Sequence, residues 1–265
     1  MNKAQGDTVL IEISERVATV TLNRPQQYNA LSRELRNEFT RALIELNADD
    51  DVDVIIVTGS GDKAFSAGAD LNELETAPLT PEEMGHESAF MQAFADLKKP
   101  IIAAVNGLAV TGGFELAALC DILVASSNAR FADTHCRVGV VSAWGFTQTL
   151  TALIGPVRAR YLSFTGNFID AQTAKEWGLV LDVLPPDELM PFCRKLAADI
   201  VSCDATTVRR MRECMRVGQN GTMREGLELE AKYAKESVSN FDAAAFAKRR
   251  KIVMARGRTH RPTNP

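Results

Sequence analysis

The sequence predicts an α/β fold with largely parallel strands, followed by a helical C-terminal region. Two observations carry this prediction. Short apolar runs alternate with segments of helical spacing as far as residue 184, a pattern typical of strands that are each followed by a helix. After Pro185-Pro186 only amphipathic helical patterns occur. With 265 residues, of which 46% are hydrophobic, the chain fits one main domain with an appendage.

The first elements are a hairpin and a long helix. Apolar side chains alternate with other residues over 9–13 and again over 17–22, after Ser14-Glu15-Arg16, which predicts a β-hairpin. Apolar residues then recur at helical spacing with Ser32 near the start of the helix. They are Leu31, Leu35, Phe39, Leu43 and Leu46.

The middle of the chain alternates strands and helices. Residues 54–57 predict a short buried strand, and residues 81–97 predict a second helix. Pro100 leads into a β-branched strand over residues 101–105. The next unit consists of a strand at 122–125, a short segment at 130–132 and a helical stretch after Gly145.

The remainder of the chain predicts helices alone, over residues 189–201, 206–217, 223–238 and 242–253. We therefore expect a core domain over residues 1–200 and a helical subdomain over residues 201–265. A helical appendage of this size often covers a site or builds an oligomer.

The composition argues against several classes of function. A formal charge of −4 disfavours nucleic acid as a partner. The five cysteines lack Cys-x-x-Cys spacing, so we expect free thiols and no metal site. No signal-peptide core or run of transmembrane length is visible, which predicts a cytoplasmic protein with no membrane partner. Neither a dinucleotide fingerprint nor a phosphate-loop motif occurs in the sequence.

The segment IIAAVNGLAVTGGFELAALCDI, residues 101–122, carries the strongest functional signal. It predicts a strand, a turn at Asn106-Gly107, and a helix that begins after Gly112 and Gly113. The first N–H groups of a helix have no partner within it, and the helix dipole attracts negative charge there. We interpret this turn as half of an oxyanion hole with Glu115 beside it. The alternative is a tight strand-to-helix connection in which Glu115 merely occupies the first helical turn.

A second glycine turn lies upstream in AFSAGADL, residues 64–71, where a helix is predicted to start near Asp70. It would present another exposed N–H, and two such donors together could hold the oxygen of a thioester as it becomes an enolate. The alternative is a simple glycine turn with Asp70 as a helix-start acid.

Five segments in this order make the chain resemble the enoyl-CoA hydratase/isomerase family, the crotonase superfamily. They are NRPQQYNALS at 23–32, AFSAGADL at 64–71, VNGLAVTGGFELAALCDI at 105–122, ARFADTHCRVG at 129–139 and SNFDAAAFAKRRK at 239–251. The resemblance implies a crotonase-like spiral of ββα units with a helical C-terminal trimerisation subdomain. It also implies a homotrimer or homohexamer that acts on acyl-CoA thioesters. Coenzyme A is part of such a substrate, so no separate cofactor is expected.

The resemblance also implies roles for single residues. It matches the oxyanion-hole amides to Ala69 and Gly112, and the first of the two catalytic glutamates of the hydratases to Glu115. A carboxylate beside a thioester pocket can act as a base on water. The resemblance also implies that two further sets of residues bind coenzyme A. For the second set, the alternative is a solvated basic helix face. The first is Ala67, Ala69, Asp70, Leu71 and Asn72, and the second is Phe246 and Lys248 on the last helix.

The sequence departs from the hydratases at the second catalytic glutamate. Where they carry a Pro-Glu pair, this chain has Thr134-His135. A histidine can exchange protons at physiological pH, so His135 could deliver a proton to the α-carbon of the substrate. The alternative is that His135 lines the pocket without a chemical role.

Trp144 marks a second departure, because many relatives have Pro-Gly and small residues in this region. It could narrow the acyl pocket and favour short or flat acyl groups, or it could be ordinary aromatic packing. The resemblance as a whole predicts a lyase that adds water to a 2-enoyl-CoA. The alternatives are an isomerase or another enolate-type acyl-CoA enzyme, and a non-catalytic acyl-CoA-binding protein.

Overall fold

The computed structural model of the chain describes residues 2–4, 7–78, 80–83, 85 and 87–259. It consists of two compact units that divide between Arg209 and Arg210. The prediction that residues 201–265 form an oligomerisation subdomain is not tested by this division. None of the helices in the described ranges is long and apolar enough to cross a membrane.

The first unit is built on two β-sheets. Its strands are β1 (Asn2–Ala4), β2 (Val9–Ser14), β3 (Val17–Leu22), β4 (Val54–Gly59), β5 (Ala64–Ser66), β6 (Ile101–Val105), β7 (Leu108–Val110), β8 (Ile122–Ser126), β9 (Arg130–Ala132), β10 (Ile169–Asp170) and β11 (Val183–Leu184). The large sheet has the order β1-β2-β3-β4-β6-β8-β11, and the small sheet has the order β10-β9-β7-β5. The first three strands of the large sheet pair antiparallel, which confirms the predicted hairpin, and its other pairs are parallel.

The helices of this unit connect or cover the strands. They are α1 (Arg33–Ala48), α2 (Leu71–Thr76), α3 (Ala89–Asp96), α4 (Gly112–Ala118), α5 (His135–Val138), α6 (Phe146–Ile154), α7 (Pro156–Thr165), α8 (Ala171–Glu176) and α9 (Pro186–Val201). Helix α10 (Ala205–Asn220) contains the division between the two units.

One arrangement recurs three times along the chain. The triplets β4-β5-α2, β6-β7-α4 and β8-β9-α5 each give one strand to the large sheet, the next strand to the small sheet, and then a helix. The parallel pairing of successive units stacks them side by side. The predicted spiral of ββα units is therefore confirmed, and each unit brings a strand-to-helix turn to the same side of the fold.

The large sheet is buried on both faces, which explains the continuous apolar runs of its central strands. All six residues of β4 are buried. Ile55 and Val57 point into the main core with α1, whereas Val54 and Ile56 pack with Leu189, Cys193 and Ala197 of α9.

Helix α1 begins where the sequence predicts it. The side chain of Ser32 accepts a hydrogen bond from the backbone N–H of Leu35 and caps the helix. The buried face includes Phe39, whose ring packs against those of Phe90 and Phe94 from α3. An aromatic cluster thus joins α1 to α3.

The prediction of a single helix over residues 81–97 is wrong. The structure has a 3₁₀ turn at Pro81–Glu83 and a separate α3 that starts at Ala89, capped by the Ser88 side chain. Gly85 lies between them with φ of +85°, a left-handed conformation that ends a helix. The apolar spacing of the segment did not reveal this break.

The second unit consists of the end of α10 with α11 (Met223–Ser239) and α12 (Ala243–Thr259). Thr222 and Glu225 form a reciprocal capping box at the start of α11. Glu236 of α11 pairs with Arg210, and the Tyr233 hydroxyl donates a hydrogen bond to Glu213. The helices predicted from the amphipathic pattern are present in the structure.

Candidate active site

Two glycines shape the turn between β7 and α4. A Cβ added to Gly113 would lie 2.1 Å from the backbone oxygen of Ser66, so only glycine lets α4 approach β5 this closely. Gly112 is the first helical residue, and its N–H therefore has no partner within the helix.

The turn between β5 and α2 packs against this turn, backbone on backbone. Gly68 has φ of +89°, and a Cβ added there would lie 2.8 Å from the oxygen of Val110. A Cβ added to Gly112 would lie 3.7 Å from the amide nitrogen of Ala69. The Leu31 N–H donates to the Gly68 oxygen at 2.8 Å and anchors the turn. Ala69 and Gly112, both predicted as oxyanion-hole donors, are therefore neighbours.

The residues after Ala69 have their own structural roles. Asp70 caps α2 through the N–H of Glu73 and forms an ion pair with Arg24 at 2.7 Å. Burial opposes the ionised form, but the bonds from Arg24 and the backbone hold the pKa of Asp70 below its usual range. Leu71 and Asn72 are exposed, and Ala67 is half-buried. Their predicted contact with coenzyme A stays a prediction.

Glu115 lies in the first turn of α4 and is buried, with 4% of its surface exposed. Its Oε1 accepts a hydrogen bond from the backbone N–H of Trp144 at 3.2 Å. Its Oε2 lies 3.4 Å from Nε2 of His135. The structure therefore brings together Glu115 and His135, the two side chains that the sequence analysis singled out for proton transfer.

His135 is held from its other side by Asp133. Nδ1 of His135 lies 2.6 Å from Oδ1 of Asp133, and the backbone N–H of His135 donates to the same oxygen at 3.2 Å. Burial opposes the charged imidazole, but hydrogen bonds to Asp133 and Glu115 raise the pKa of His135 to about 9. Burial also opposes the ionised form of Asp133, and bonds from His135 and Ser163 nevertheless lower the pKa of that carboxyl. At neutral pH the imidazole is therefore an imidazolium between two acidic side chains.

Asp133 is a site residue that the sequence prediction did not include. The available signal was its position two residues before His135, since an aspartate often accepts a hydrogen bond from the backbone N–H two residues on. That spacing alone gives no reason for the carboxylate to reach the imidazole as well.

Trp144 connects Glu115 to the aromatic cluster of α1 and α3. The residue is 6% exposed, and its ring stacks on Phe90 with centroids 4.4 Å apart. Within the described structure its buried Nε1 has no hydrogen-bond partner. Trp144 is thus packed in the core and in contact with Glu115 through its backbone, and its predicted effect on the acyl pocket stays a prediction.

Phe246 and Lys248 belong to the second unit. They lie on α12, where both are exposed and the Phe246 ring packs against Phe241 with centroids 5.2 Å apart. Their predicted contact with coenzyme A stays a prediction.

The geometry joins three chemical capabilities. Two neighbouring amides, Ala69 and Gly112, can stabilise a developing oxyanion. Glu115 can accept a proton, and the imidazolium of His135 can donate one. In the described residues no group of three or more histidine, cysteine or acidic side chains is arranged to hold a metal ion.

Known proteins share this sequence and fold. Residues 12–255 match a family model described as enoyl-CoA hydratase/isomerase. A probable enoyl-CoA hydratase of Mycobacterium bovis is 38% identical over 248 residues, covering 92% of this chain and 96% of the relative. A crotonyl-CoA hydratase of Syntrophomonas wolfei is 35% identical over 227 residues, covering 85% of this chain and 87% of the relative. The solved structure of an enoyl-CoA hydratase from Bacillus anthracis has a TM-score of 0.84 at 33% identity, covering 92% and 96% of the two chains. This chain therefore belongs to the enoyl-CoA hydratase/isomerase family.

Proposed function

We propose that this protein is an enoyl-CoA hydratase that adds water across the double bond of a 2-enoyl-CoA, or removes it in reverse. The observation that carries the proposal is the pairing of Glu115 on α4 with His135 on α5 at 3.4 Å. The names of the relatives, enoyl-CoA and crotonyl-CoA hydratases, support the same reaction.

The first step is polarisation of the substrate. The thioester oxygen accepts hydrogen bonds from the N–H groups of Ala69 and Gly112, and negative charge collects on it as the enolate forms. Withdrawal of electrons through the conjugated system makes the β-carbon electrophilic. One donor of this kind is typically worth about 10²–10³ in rate.

Glu115 and His135 then divide the proton transfers. Glu115 takes a proton from water while the water oxygen bonds to the β-carbon. The electron pair of the enolate returns to the α-carbon, which takes a proton from Nε2 of His135. The product has gained one water, Glu115 is protonated and His135 is neutral. Transfer of that proton from Glu115 to Nε2 restores the starting state.

Asp133 makes His135 suitable for this task. Its hydrogen bond to Nδ1 favours the charged imidazole and contributes to the rise of the pKa of His135 to about 9, so the imidazole holds a proton for donation at neutral pH.

The test is the loss of enoyl-thioester absorbance when purified protein meets crotonyl-CoA. We expect turnover with a product heavier by one water in mass spectrometry. An isomerase would give a product of unchanged mass. Because His135 replaces the second glutamate of the hydratases, the same experiment also tests this alternative. Binding without any conversion over a range of chain lengths would refute both activities.

We also propose that the protein works in the cytoplasm as a homotrimer or homohexamer with no cofactor beyond the coenzyme A of its substrate. Exposed apolar side chains on the C-terminal helices support an oligomer, since large apolar patches commonly mark protein interfaces. They include Met211, Met215, Met223, Leu227 and Val238.

Trp144 is proposed to limit the length of the acyl group. Replacing Trp144 by Ala removes the ring that stacks on Phe90. We expect kcat/KM for an eight-carbon enoyl-CoA to rise about tenfold relative to crotonyl-CoA, a size of effect typical of altered apolar pockets. Trp177→Ala is the matched control, because that ring packs against Tyr161 and Arg158 instead. An unchanged ratio in Trp144→Ala would contradict the assignment.

A further inference from the structure

Thr111 has an unusual backbone for its residue type. Its φ of +51° and ψ of −114° lie in a region that L side chains rarely adopt. Of the described non-glycine residues with positive φ, it alone is β-branched, and the others are Glu15, Arg16, Tyr28 and Asn29. Such a conformation persists only where the surrounding structure enforces it, and it is concentrated at functional sites.

The backbone of Thr111 stands at the junction of β7 and α4. Its N–H donates to the oxygen of Ala132 at 2.9 Å, and its carbonyl accepts from the N–H of Glu115 at 2.8 Å. The next residue is Gly112, whose free N–H points out of the start of α4. The conformation of Thr111 therefore sets the direction of both this amide and the first turn that carries Glu115.

The side chain of Thr111 reaches across to the segment that carries His135. Its Oγ1 accepts a hydrogen bond from the N–H of Thr134 at 3.3 Å and shares a second hydrogen bond with Oγ1 of Thr134. Thr134 is the residue before α5, whose first residue is His135. One hydroxyl thus links the Gly112 turn to the start of α5.

We propose that Thr111 is a positioning residue, which fixes the proton donor His135 relative to the oxyanion-hole amide of Gly112. This inference rests on the proposed hydratase function. The strained backbone of Thr111 sets the direction of the Gly112 N–H. The Thr111 hydroxyl, through its bonds to Thr134, fixes the position of His135 relative to that N–H. Glycine would suit the backbone better and valine would keep the shape, but neither could form the bridge to Thr134.

The substitutions Thr111→Gly, Thr111→Val and Thr111→Ser separate strain from the hydroxyl. We expect Thr111→Gly to raise Tm through relief of strain and to lower kcat about ten- to a hundredfold, the size expected for misplaced reacting groups. Thr111→Val keeps the strain and loses the bridge, so Tm and kcat both fall. Thr111→Ser keeps the hydroxyl and retains most of kcat. KM for crotonyl-CoA changes little in all three.

Glu15→Gly is the matched control, because Glu15 is exposed on the β2–β3 hairpin with φ of +50°. It should raise Tm without a change in kcat. The infrared carbonyl stretch of bound butyryl-CoA, which cannot be hydrated, reports polarisation by the Gly112 amide, and we expect a smaller shift in Thr111→Gly than in the unsubstituted protein.

The positioning role is refuted if Thr111→Gly and Thr111→Val keep full kcat and the full carbonyl shift, or if Thr111→Gly loses kcat only in proportion to lost folded protein. A failure of the hydratase proposal is distinguishable, because the unsubstituted protein would then leave crotonyl-CoA unchanged.

Discussion

Replacing Glu115 by Gln is expected to lower kcat for crotonyl-CoA hydration by about 10²–10⁴-fold, the contribution typical of a general base. The amide has nearly the same volume and can still accept the hydrogen bond from the Trp144 N–H. It cannot take a proton from water. Because the proposed substrate contacts with Ala69, Gly112 and the coenzyme A site do not involve the Glu115 side chain, KM should change little. The measurement is the initial rate of absorbance loss at saturating crotonyl-CoA.

Glu38→Gln provides the control for removing a buried carboxylate. Glu38 on α1 accepts hydrogen bonds from Thr8 and from the N–H of Val9. Its substitution should lower Tm while the folded fraction keeps full kcat. If Glu115→Gln converts crotonyl-CoA as fast as the unsubstituted protein does, Glu115 is not the base. If both proteins bind acyl-CoA equally well and neither converts it, the protein has a non-catalytic binding role.

His135 is expected to give the rate a descending limb at alkaline pH. The imidazolium must hold its proton to donate it, so kcat should fall as pH rises through about 9, the pKa of His135. Substituting His135 by Gln should abolish this limb and lower kcat about 10²-fold or more. Asp133→Asn removes a carboxylate that favours the imidazolium and should move the limb to lower pH. The measurement is kcat against pH for the three proteins.

The same ionisation affects folding stability. Folding raises the pKa of His135 above its ordinary 6.5, so the stabilisation is complete below that pH and is lost as pH rises through about 9. The fall in Tm over this interval should be smaller in His135→Gln. An alkaline limb that persists unchanged in His135→Gln would assign it to another group and would leave His135 as a pocket-lining residue.

The parts of the site that depend on local chain geometry were predictable. Paired glycines after a strand predict a tight turn with free helix-start amides, and the contact of Gly113 with Ser66 explains why no larger residue serves there. Ser32 and Asp70 were likewise recognisable as helix starts, because capping depends on neighbouring residues alone.

The parts that depend on side-chain orientation or on contacts between distant segments were not predictable from residue patterns. The bond of Asp133 to the imidazole requires the side-chain orientation of α5, and the stacking of Trp144 on Phe90 joins segments more than fifty residues apart. The break at Gly85 shows the same limit, because a periodic apolar pattern continued through a residue whose left-handed backbone ends the helix. The bridge between Thr111 and Thr134 belongs to this class too.

With Trp144 proposed to limit the acyl group and Glu115 proposed as the base, the hydrogen bond from the Trp144 backbone to Glu115 couples substrate selection to base chemistry. A change in the segment after α5 that opens room for a longer acyl group also moves an N–H that stabilises the carboxylate. Natural or laboratory selection for new substrates should therefore produce intermediate variants with altered kcat. Restoring kcat would require compensating substitutions on α4 rather than in the segment that contains Trp144.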